Sequence, residues 1–540
     1  GSLSRRQWLE EQAHNQLRPH LAAWRRITKD KRVLRIVERG LRLELHGRPA
    51  LRRRSPTFAG TPDQNRHLSK MLSQWLEAGL IAPDMSDDLF IHLLFPVPKP
   101  GPKKWRWCLD VSPPGLNAHL KTTRFKMTGL PHLRQLVQPH DWMCKLDLQD
   151  AYNSVLIDPS QQKLLGFKAL NQTFRWRAMV FGISVAPKVF TDLIKPVLAQ
   201  LHKEGIRAMA FLDDFFICAR TPTLARAHAA RAAQLLQDLG LRINFSKSEL
   251  EPTQLLVYLG VQIDSRAFSL SVPLPKLEAA SLAARKVLLI DRRRPVPVRR
   301  LAALAGILVS FSQVMPAAHA RRHALHKLVQ FALRRCRSGS LNARWRNASA
   351  HLSATALASV RWMSSSTRLQ TANSHHPVRV MEENSLILTS DASDSGWGAT
   401  LDLPAEPTVR RAVAEWLERG SGGAVQRAAC ARTTSTTPTG RLWPLEAAGF
   451  WPTDLSLSSS INVRESLAVR LALDLWADHV VAPLINLLRD TLHLPGVALV
   501  IKSDNSTTVS YLRKWGGRHK HLALVLQDAQ RRLLAQQLVK

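Results

Sequence analysis

Apolar positions along the chain alternate in short runs and then recur at helical spacing, and the pattern changes character twice. Residues 6–25 and 29–39 predict helices. Leu34, Val37 and Leu41 face a core and basic residues face outward. A helix opens at Pro62 and runs to Leu80, with Leu68, Met71, Leu72 and Trp75 as its stripe. Two strands follow, 93–97 and 105–110, joined by a basic Pro/Gly-rich loop. Residues 174–180 alternate, and a small-residue stretch then leads into a helix ending near Leu201. An Ala-rich helix spans 223–239, and strands at 241–245 and 257–263 flank a turn, Ser246-Lys247-Ser248. This order predicts a mixed sheet with helices on one face. From 271 to 375 helical stripes dominate, as at Leu301, Leu304, Ala305, Leu308 and Phe311, and 364–377 reads as a linker. Strands return at 385–391, 396–401 and 497–503, with a helix at 462–476 and a poorly patterned stretch at 403–459.

Acids interrupt this pattern at particular places. Phe211-Leu212-Asp213-Asp214-Phe215-Phe216-Ile217 sets two adjacent carboxylates between apolar arms, a hairpin with its acids at the turn. A polar turn is the plain reading of any Asp-Asp pair. Side-by-side like charges beside apolar strands nevertheless raise each other's pKa unless a cation sits there. Mg²⁺, which takes carboxylates together with substrate phosphates, is the natural one. Asp147 closes another apolar run and is followed five positions later by Tyr152. A second set repeats the arrangement, with Asp391 and Asp504 at strand ends and Glu465 in the first turn of a helix. Lys99 before the basic loop and Arg106 after it either form a solvated hairpin or hold one triphosphate from two strands.

Charge narrows the partners. Over 540 residues, Lys and Arg number 76 against 41 Asp and Glu, a formal charge of +35 and a pI near 11.1. Such an excess points to a polyanion, nucleic acid before membrane. No uninterrupted apolar stretch of about 18 residues occurs, so no membrane span is expected. The cysteines, 108, 144, 218, 336 and 430, lack CxxC spacing, so neither zinc nor disulfides are expected and a reducing compartment is. The opening Gly1-Ser2, without Met, reads as a fragment of something longer.

With both acid sets in view, the chain resembles a reverse transcriptase followed by an RNase H domain, over roughly residues 65–535. The resemblance implies an α/β, more strictly α+β, multidomain chain, a right-hand polymerase (fingers, palm, thumb) followed by an RNase H-like mixed-sheet domain. Its expected parts are a basic helical N-terminal extension at 1–60, fingers and palm at 61–270, a helical thumb or connection at 271–375, and an RNase H-like domain at 376–540 that is short at its C-terminus. Phe211-Leu212-Asp213-Asp214 looks like the polymerase signature with Phe in place of Tyr. Asp147, Asp213 and Asp214 are then its metal-binding catalytic acids, and Tyr152 the gate against a 2′-hydroxyl. Lys99, Arg106, Phe181, Gly182 and Lys247 are nucleotide-binding, with Pro187 in the same motif and Phe181 where retroviral enzymes carry Gln. Tyr258-Leu259-Gly260 resembles the primer grip.

Asp391, Glu465 and Asp504 resemble the metal-binding acids of RNase H. Their settings, Asp391-Ala392-Ser393 with Gly396-Trp397-Gly398, Asn462-Val463-Arg464-Glu465, Ser503-Asp504-Asn505 and Trp515-Gly516-Gly517, look like the DIRS-like tyrosine-recombinase retrotransposons, which include the VIPER elements. A fourth acid of that family is not matched. Asp528, in a predicted helix at 521–538, is a poor candidate.

The resemblance implies an RNA- and DNA-directed DNA polymerase with an associated RNase H. Its cofactor is Mg²⁺, with Mn²⁺ as substitute. Its partners are an RNA template, a DNA primer, the RNA–DNA hybrid and dNTPs, and its setting is intracellular, cytoplasmic or nuclear. The alternatives are a nucleic-acid-binding homologue without catalysis, against which all three polymerase acids stand, and an RNA-dependent RNA polymerase, against which Tyr152 and the RNase H segment stand.

Overall fold

The computed structural model describes residues 16–47, 49, 58–98, 104–112, 115–290, 293–336, 341–373, 376–393, 396–418, 445–450, 461–495, 497–506 and 508–509. Lys99, Cys430, Trp515-Gly516-Gly517, Asp528 and the first part of the N-terminal helix expected at 6–25 lie outside them. The chain divides into two compact units, 1–136 with 141–253, and 137–140 with 254–540.

In the first unit, two short helices, Leu21–Ile27 and Lys31–Arg39, bury Trp24, Val33 and Val37 while their Arg and Lys residues stay exposed. Trp24 Nε1 donates to the Leu239 carbonyl (2.9 Å), and His20 Nδ1 lies 2.7 Å from the Asp238 carbonyl. Both carbonyls end the helix Pro222–Asp238, where backbone oxygens have no partner within the helix. The helix Pro62–Glu77 starts with a capping box in which Thr61 and Gln64 satisfy each other's backbone N–H groups.

Strands β1 (Ile81–Pro83), β2 (Ile91–Pro98), β3 (Trp105–Asp110), β5 (Gly166–Ala169) and β6 (Gln172–Trp176) form one sheet, ordered β1-β6-β5-β2-β3. Only the β2–β5 pairing is parallel. Strands β4 (Trp142–Asp147), β7 (Arg207–Phe211), β8 (Asp214–Ala219) and β9 (Glu249–Thr253) form the sheet that carries the first acids, ordered β7-β8-β4-β9. Every pairing in it is antiparallel, so the expectation of a mixed sheet around these acids is corrected. Residues 241–245 do not form the expected strand. They touch the sheet through one bridge, Leu148 to Ile243. Helices Ala186–Lys203 and Pro222–Asp238 pack on this sheet. Ala225, Ala229, Ala232 and Ala233 let the second lie close to it. One continuous core runs from Leu17 through Trp24, Phe167 and Phe190 to Ile243.

The second unit opens with β10 (Leu255–Tyr258), β11 (Val261–Asp264) and β12 (Ser269–Ser271). The run expected as one strand at 257–263 is therefore a hairpin. Leu259 (φ +49°) and Gly260 (φ +75°) are its two left-handed central residues, the type I′ geometry that matches strand twist. Helices Leu274–Leu288, Val298–Phe311, Pro316–Arg335, Leu341–Asn347 and Ala354–Ser364 follow, with a short pair of strands, β13 (Val296–Pro297) and β14 (Ser349–Ala350). The expected linker at 364–377 holds a helix, Ser366–Ala372, and β15 (His376–Pro377), which pairs with β12. A last sheet is ordered β18-β17-β16-β19, from β16 (Leu386–Ala392), β17 (Gly396–Asp402), β18 (Leu445–Phe450) and β19 (Leu499–Lys502). β16 and β19 run parallel and the other pairings are antiparallel. The poorly patterned stretch after residue 403 contains an amphipathic helix, Pro407–Glu418, that buries Val409 and Val413.

The helix at Ile461–Trp476 continues in one helical run of 31 residues to Thr491, and its most apolar 18-residue window has a mean hydropathy of 1.4. By length and composition it is long enough to cross a membrane, unlike anything expected from uninterrupted apolar stretches. Its apolar side instead builds the core under this sheet, through Val469, Ala472, Leu473, Trp476 and Leu484.

A buried ion pair ties β4 to β7. Asp141 is fully buried and accepts from both Arg207 Nη atoms (2.6 and 2.7 Å), and Arg207 also donates to the Leu136 carbonyl (3.1 Å). Removing one partner of such a pair leaves an uncompensated charge. Asp141→Ala should therefore cost about 3 kcal/mol in urea-unfolding stability. A loss below about 0.5 kcal/mol, the scale of a surface pair, would show that the pair does not hold these strands together.

Candidate active site

Strand register places the first acids. Asp147, the last residue of β4, lies directly opposite Asp214, the first residue of β8, and therefore on the same face of the sheet. Phe211 pairs with Asp214, so Leu212 and Asp213 are the two turn residues between β7 and β8. Leu212 has φ +58° at the first central position, where a type II′ hairpin places Gly. A bulky residue in the left-handed region stores strain, and here it does so beside the acids. Backbone bonds brace the tip. Leu148 N–H donates to the Asp213 carbonyl (2.9 Å), Asn244 N–H to the Asp147 carbonyl (2.8 Å), and Asp147 N–H to Ser248 Oγ (3.0 Å).

The electrostatics show what the acids lack. Burial pushes the Asp214 carboxyl up to about 6, and repulsion from Asp213 and then Asp147 adds to it. Asp213 is also raised, mainly by burial and further by Asp147. Lys247 Nζ, on the exposed turn 246–248, lies 3.8 Å from Asp147 Oδ1. Hard oxygen donors with raised carboxyl pKa values fit a divalent cation of the Mg²⁺ or Mn²⁺ kind.

Around them sit most of the residues expected to bind a nucleotide. Tyr152 is buried in the turn Ala151–Ser154, with its ring 5.1 Å from Phe181 and 5.9 Å from Phe190. Burial, then the nearby Asp213, pushes its hydroxyl up to about 12, so it stays protonated. The Arg106 guanidinium lies 4.8 Å over the Phe181 ring, and its charge is felt at Asp213. Gly182 has φ +108°, and a Cβ there would lie 2.6 Å from the Leu109 carbonyl oxygen. Only glycine lets this loop press onto the end of β3. Sequence reasoning missed Asn117 and Ser248. An Asn after Pro-Pro-Gly looks like any turn residue, and Ser248 like any turn hydroxyl.

In the second unit, one oxygen each from Asp391, Glu465 and Asp504 gathers within 4.8 Å. Glu465 is buried, accepts from Ala392 N–H (3.1 Å), and lies 3.5 Å from the Ser503 hydroxyl. Its carboxyl is raised by burial and by the charges of Asp504 and Asp391. A three-carboxylate oxygen set again fits a hard divalent ion. Asn505 Nδ2 donates to Asn462 Oδ1 (2.9 Å), which links the helix of Glu465 to the segment after Asp504. Tyr258-Leu259-Gly260 forms the β10–β11 turn, with the Gly260 carbonyl accepting from Lys276 Nζ (2.9 Å).

Residues 97–263 match the family described as reverse transcriptase (RNA-dependent DNA polymerase). Curated relatives include two transposon polyproteins of Schizosaccharomyces pombe, Tf2-3 and Tf2-7. They are 24% and 23% identical over 208 residues, which are 38% of this chain and 15% of each polyprotein. The chain therefore covers a small part of those relatives. Among solved structures, the foamy viral protease–reverse transcriptase in complexes with double-stranded DNA is similar in fold. One gives a TM-score of 0.52 at 12% identity, covering 90% of this chain and 71% of that one. Another gives 0.50 at 14%, covering 90% and 84%. The class these matches define is a mixed α/β multidomain protein with a polymerase fold resembling the foamy viral enzyme. Within it, residues 97–263 resemble the reverse transcriptase domains carried by retrotransposon polyproteins.

Burial of the Asp214 carboxyl, with the repulsion from Asp213 and Asp147 added to it, has a measurable consequence. Folding raises the Asp214 pKa from 3.8 to about 6, so the folded state holds that proton more tightly than the unfolded state. Stability contributed by the protonated form is complete below about pH 4 and is lost as pH rises through about 6. Without divalent ions, Asp214→Asn should thus raise the thermal midpoint at about pH 7.5 and give little gain at about pH 4. An equal effect at both pH values would show that the buried, repelled charge of Asp214 is not what the substitution relieves.

Proposed function

We propose that this chain is an RNA- and DNA-directed DNA polymerase that copies retroelement RNA into cDNA, with an associated RNase H acting on the RNA of RNA–DNA hybrids. The pairing of Asp147 with Asp214, with Asp213 on the adjoining turn, carries the polymerase reading, because it lies within the reverse transcriptase match. The DIRS-like lineage rests on the segments around Asp391, Glu465 and Asp504. The fingers and palm correspond to 61–270, the thumb to 271–375 and the RNase H-like domain to 376–540, after a basic extension at 1–60. An intracellular setting, cytoplasmic or nuclear, goes with this reading.

Asp147 and Asp213 would hold two Mg²⁺ ions, or Mn²⁺ in their place, with Asp214 as a weaker ligand. When bound, such ions activate the primer 3′-hydroxyl and neutralise charge on the leaving pyrophosphate. The chain's own groups do the rest. Arg106, with Lys99, grips the triphosphate through charge-assisted hydrogen bonds. Tyr152 fills the space a 2′-hydroxyl would need, and Phe181 and Gly182 form the floor under the nucleotide. Lys247 delivers a proton to the pyrophosphate from its place beside Asp147. Tyr258-Leu259-Gly260 holds the primer end, and basic helical faces take duplex phosphates without reading sequence. Asp391, Glu465 and Asp504 hold the ions for cleavage of the RNA strand.

Primer extension on an RNA template, with dNTPs against NTPs, tests the reading directly. Asp213→Asn should abolish synthesis while leaving hybrid cleavage intact. Loss of both activities in a folded variant that still binds duplex would sink the two-site reading. Tyr152→Val should lower the preference for dNTPs over NTPs by about tenfold or more. An unchanged ratio would place the gate elsewhere.

A further inference from the structure

The loop that carries Phe181 is fastened by one side chain with no role in the scheme above. Asn117, in the turn Leu116–Ala118, uses both ends of its carboxamide on that loop. Its Nδ2 donates to the Gly182 carbonyl (2.8 Å), and its Oδ1 accepts from the Ser184 N–H (2.9 Å). Asn117 is itself held, since its backbone N–H donates to the Val111 carbonyl (2.8 Å), just beyond β3. Gly182 presses on Leu109 in that same strand, and β3 also carries Arg106. The latch therefore joins the nucleotide loop to the strand that supplies its cation.

The Phe181 ring needs such a latch. It is 38% exposed, so burial alone does not fix it, yet it contacts both the Arg106 guanidinium and the Tyr152 ring. A guanidinium against an aromatic face is held by the ring's quadrupole, and that hold depends on where the ring stands. We propose that Asn117 is a positioning residue for the incoming nucleotide, fixing Phe181 so that Arg106 is aimed at the triphosphate and Tyr152 is held at the sugar. This rests on reading the site as a nucleotide pocket. Its chemistry is that of preorganisation, with the cost of ordering the loop met before the nucleotide arrives.

Single-nucleotide incorporation on a fixed primer–template tests it. Asn117→Ala should raise the dNTP KM about tenfold, the effect of losing one or two hydrogen bonds, and lower the dNTP/NTP preference, with primer–template Kd unchanged. Asn117→Gln keeps the amide but displaces it by a methylene, and its KM should fall between the two. Phe181→Ala combined with Asn117→Ala should be no worse in KM than Phe181→Ala alone, because the amide acts through the ring. An unchanged dNTP KM in folded Asn117→Ala, or independent multiplication of the two effects, would overturn the proposal. Should Asn117→Ala fail to give a cooperative unfolding transition, Asn117→Gln decides by the same comparison. A wild-type chain that does not extend a primer would overturn the polymerase reading rather than the latch.

Discussion

Like charges held in register on neighbouring strands are the constraint around which the first unit is arranged. Asp147 and Asp214 face each other across β4 and β8, and Asp213 sits on the adjoining turn. A slip of one residue would move either strand's side chains to the opposite face. Met143, Cys144 and Leu146 on one strand, and Phe215, Phe216 and Ile217 on the other, are buried on both faces, so a slip would unseat close-packed side chains of different size from each layer. The apolar lengths of the strands thus fix where their charged ends must lie. The raised carboxyls at those ends leave negative charge crowded where the strands finish, a donor set that fits a divalent cation.

The second carboxylate set reaches similar chemistry by another route. Asp391 belongs to a strand, Glu465 to a helix packed beneath it, and Asp504 to the segment after a parallel neighbour. One oxygen from each of its acids gathers within 4.8 Å, and its buried member is tied to backbone and hydroxyl donors. A parallel pair brings two strand ends to one edge of a sheet. An antiparallel hairpin instead brings adjacent residues to one tip. Each topology concentrates negative charge where the chain leaves the core.

The acids and their strands were legible because a charged residue ending an apolar run breaks a strong pattern, and three-dimensional register only had to align the breaks. Other features left no such mark. Residues 257–263 hid a hairpin because Leu259 supplies an apolar side chain at a left-handed turn position, where Asn or Gly would have announced the turn. Residues 241–245 look like a strand, but the edge beside β4 is taken by β9. The helix Pro407–Glu418 escaped notice because its two buried valines are few among polar neighbours. Asn117 was invisible for a different reason. Its meaning lies in partners 65 and 67 positions away, which periodicity does not report.

The N-terminal helices bear on what counts as a self-sufficient piece of this protein. The match to the reverse transcriptase family begins at residue 97, yet the core that supports the acids includes residues from Leu17 onward. Trp24 and His20 close the open end of a helix more than two hundred residues further on, and Leu41 bridges to Ile157 just beyond the Tyr152 turn. A cut at the edge of similarity would expose the carbonyl end of that helix and one side of the shared core. The extent over which ancestry is visible and the extent over which the chain can hold itself together are therefore different lengths, and the second is the longer.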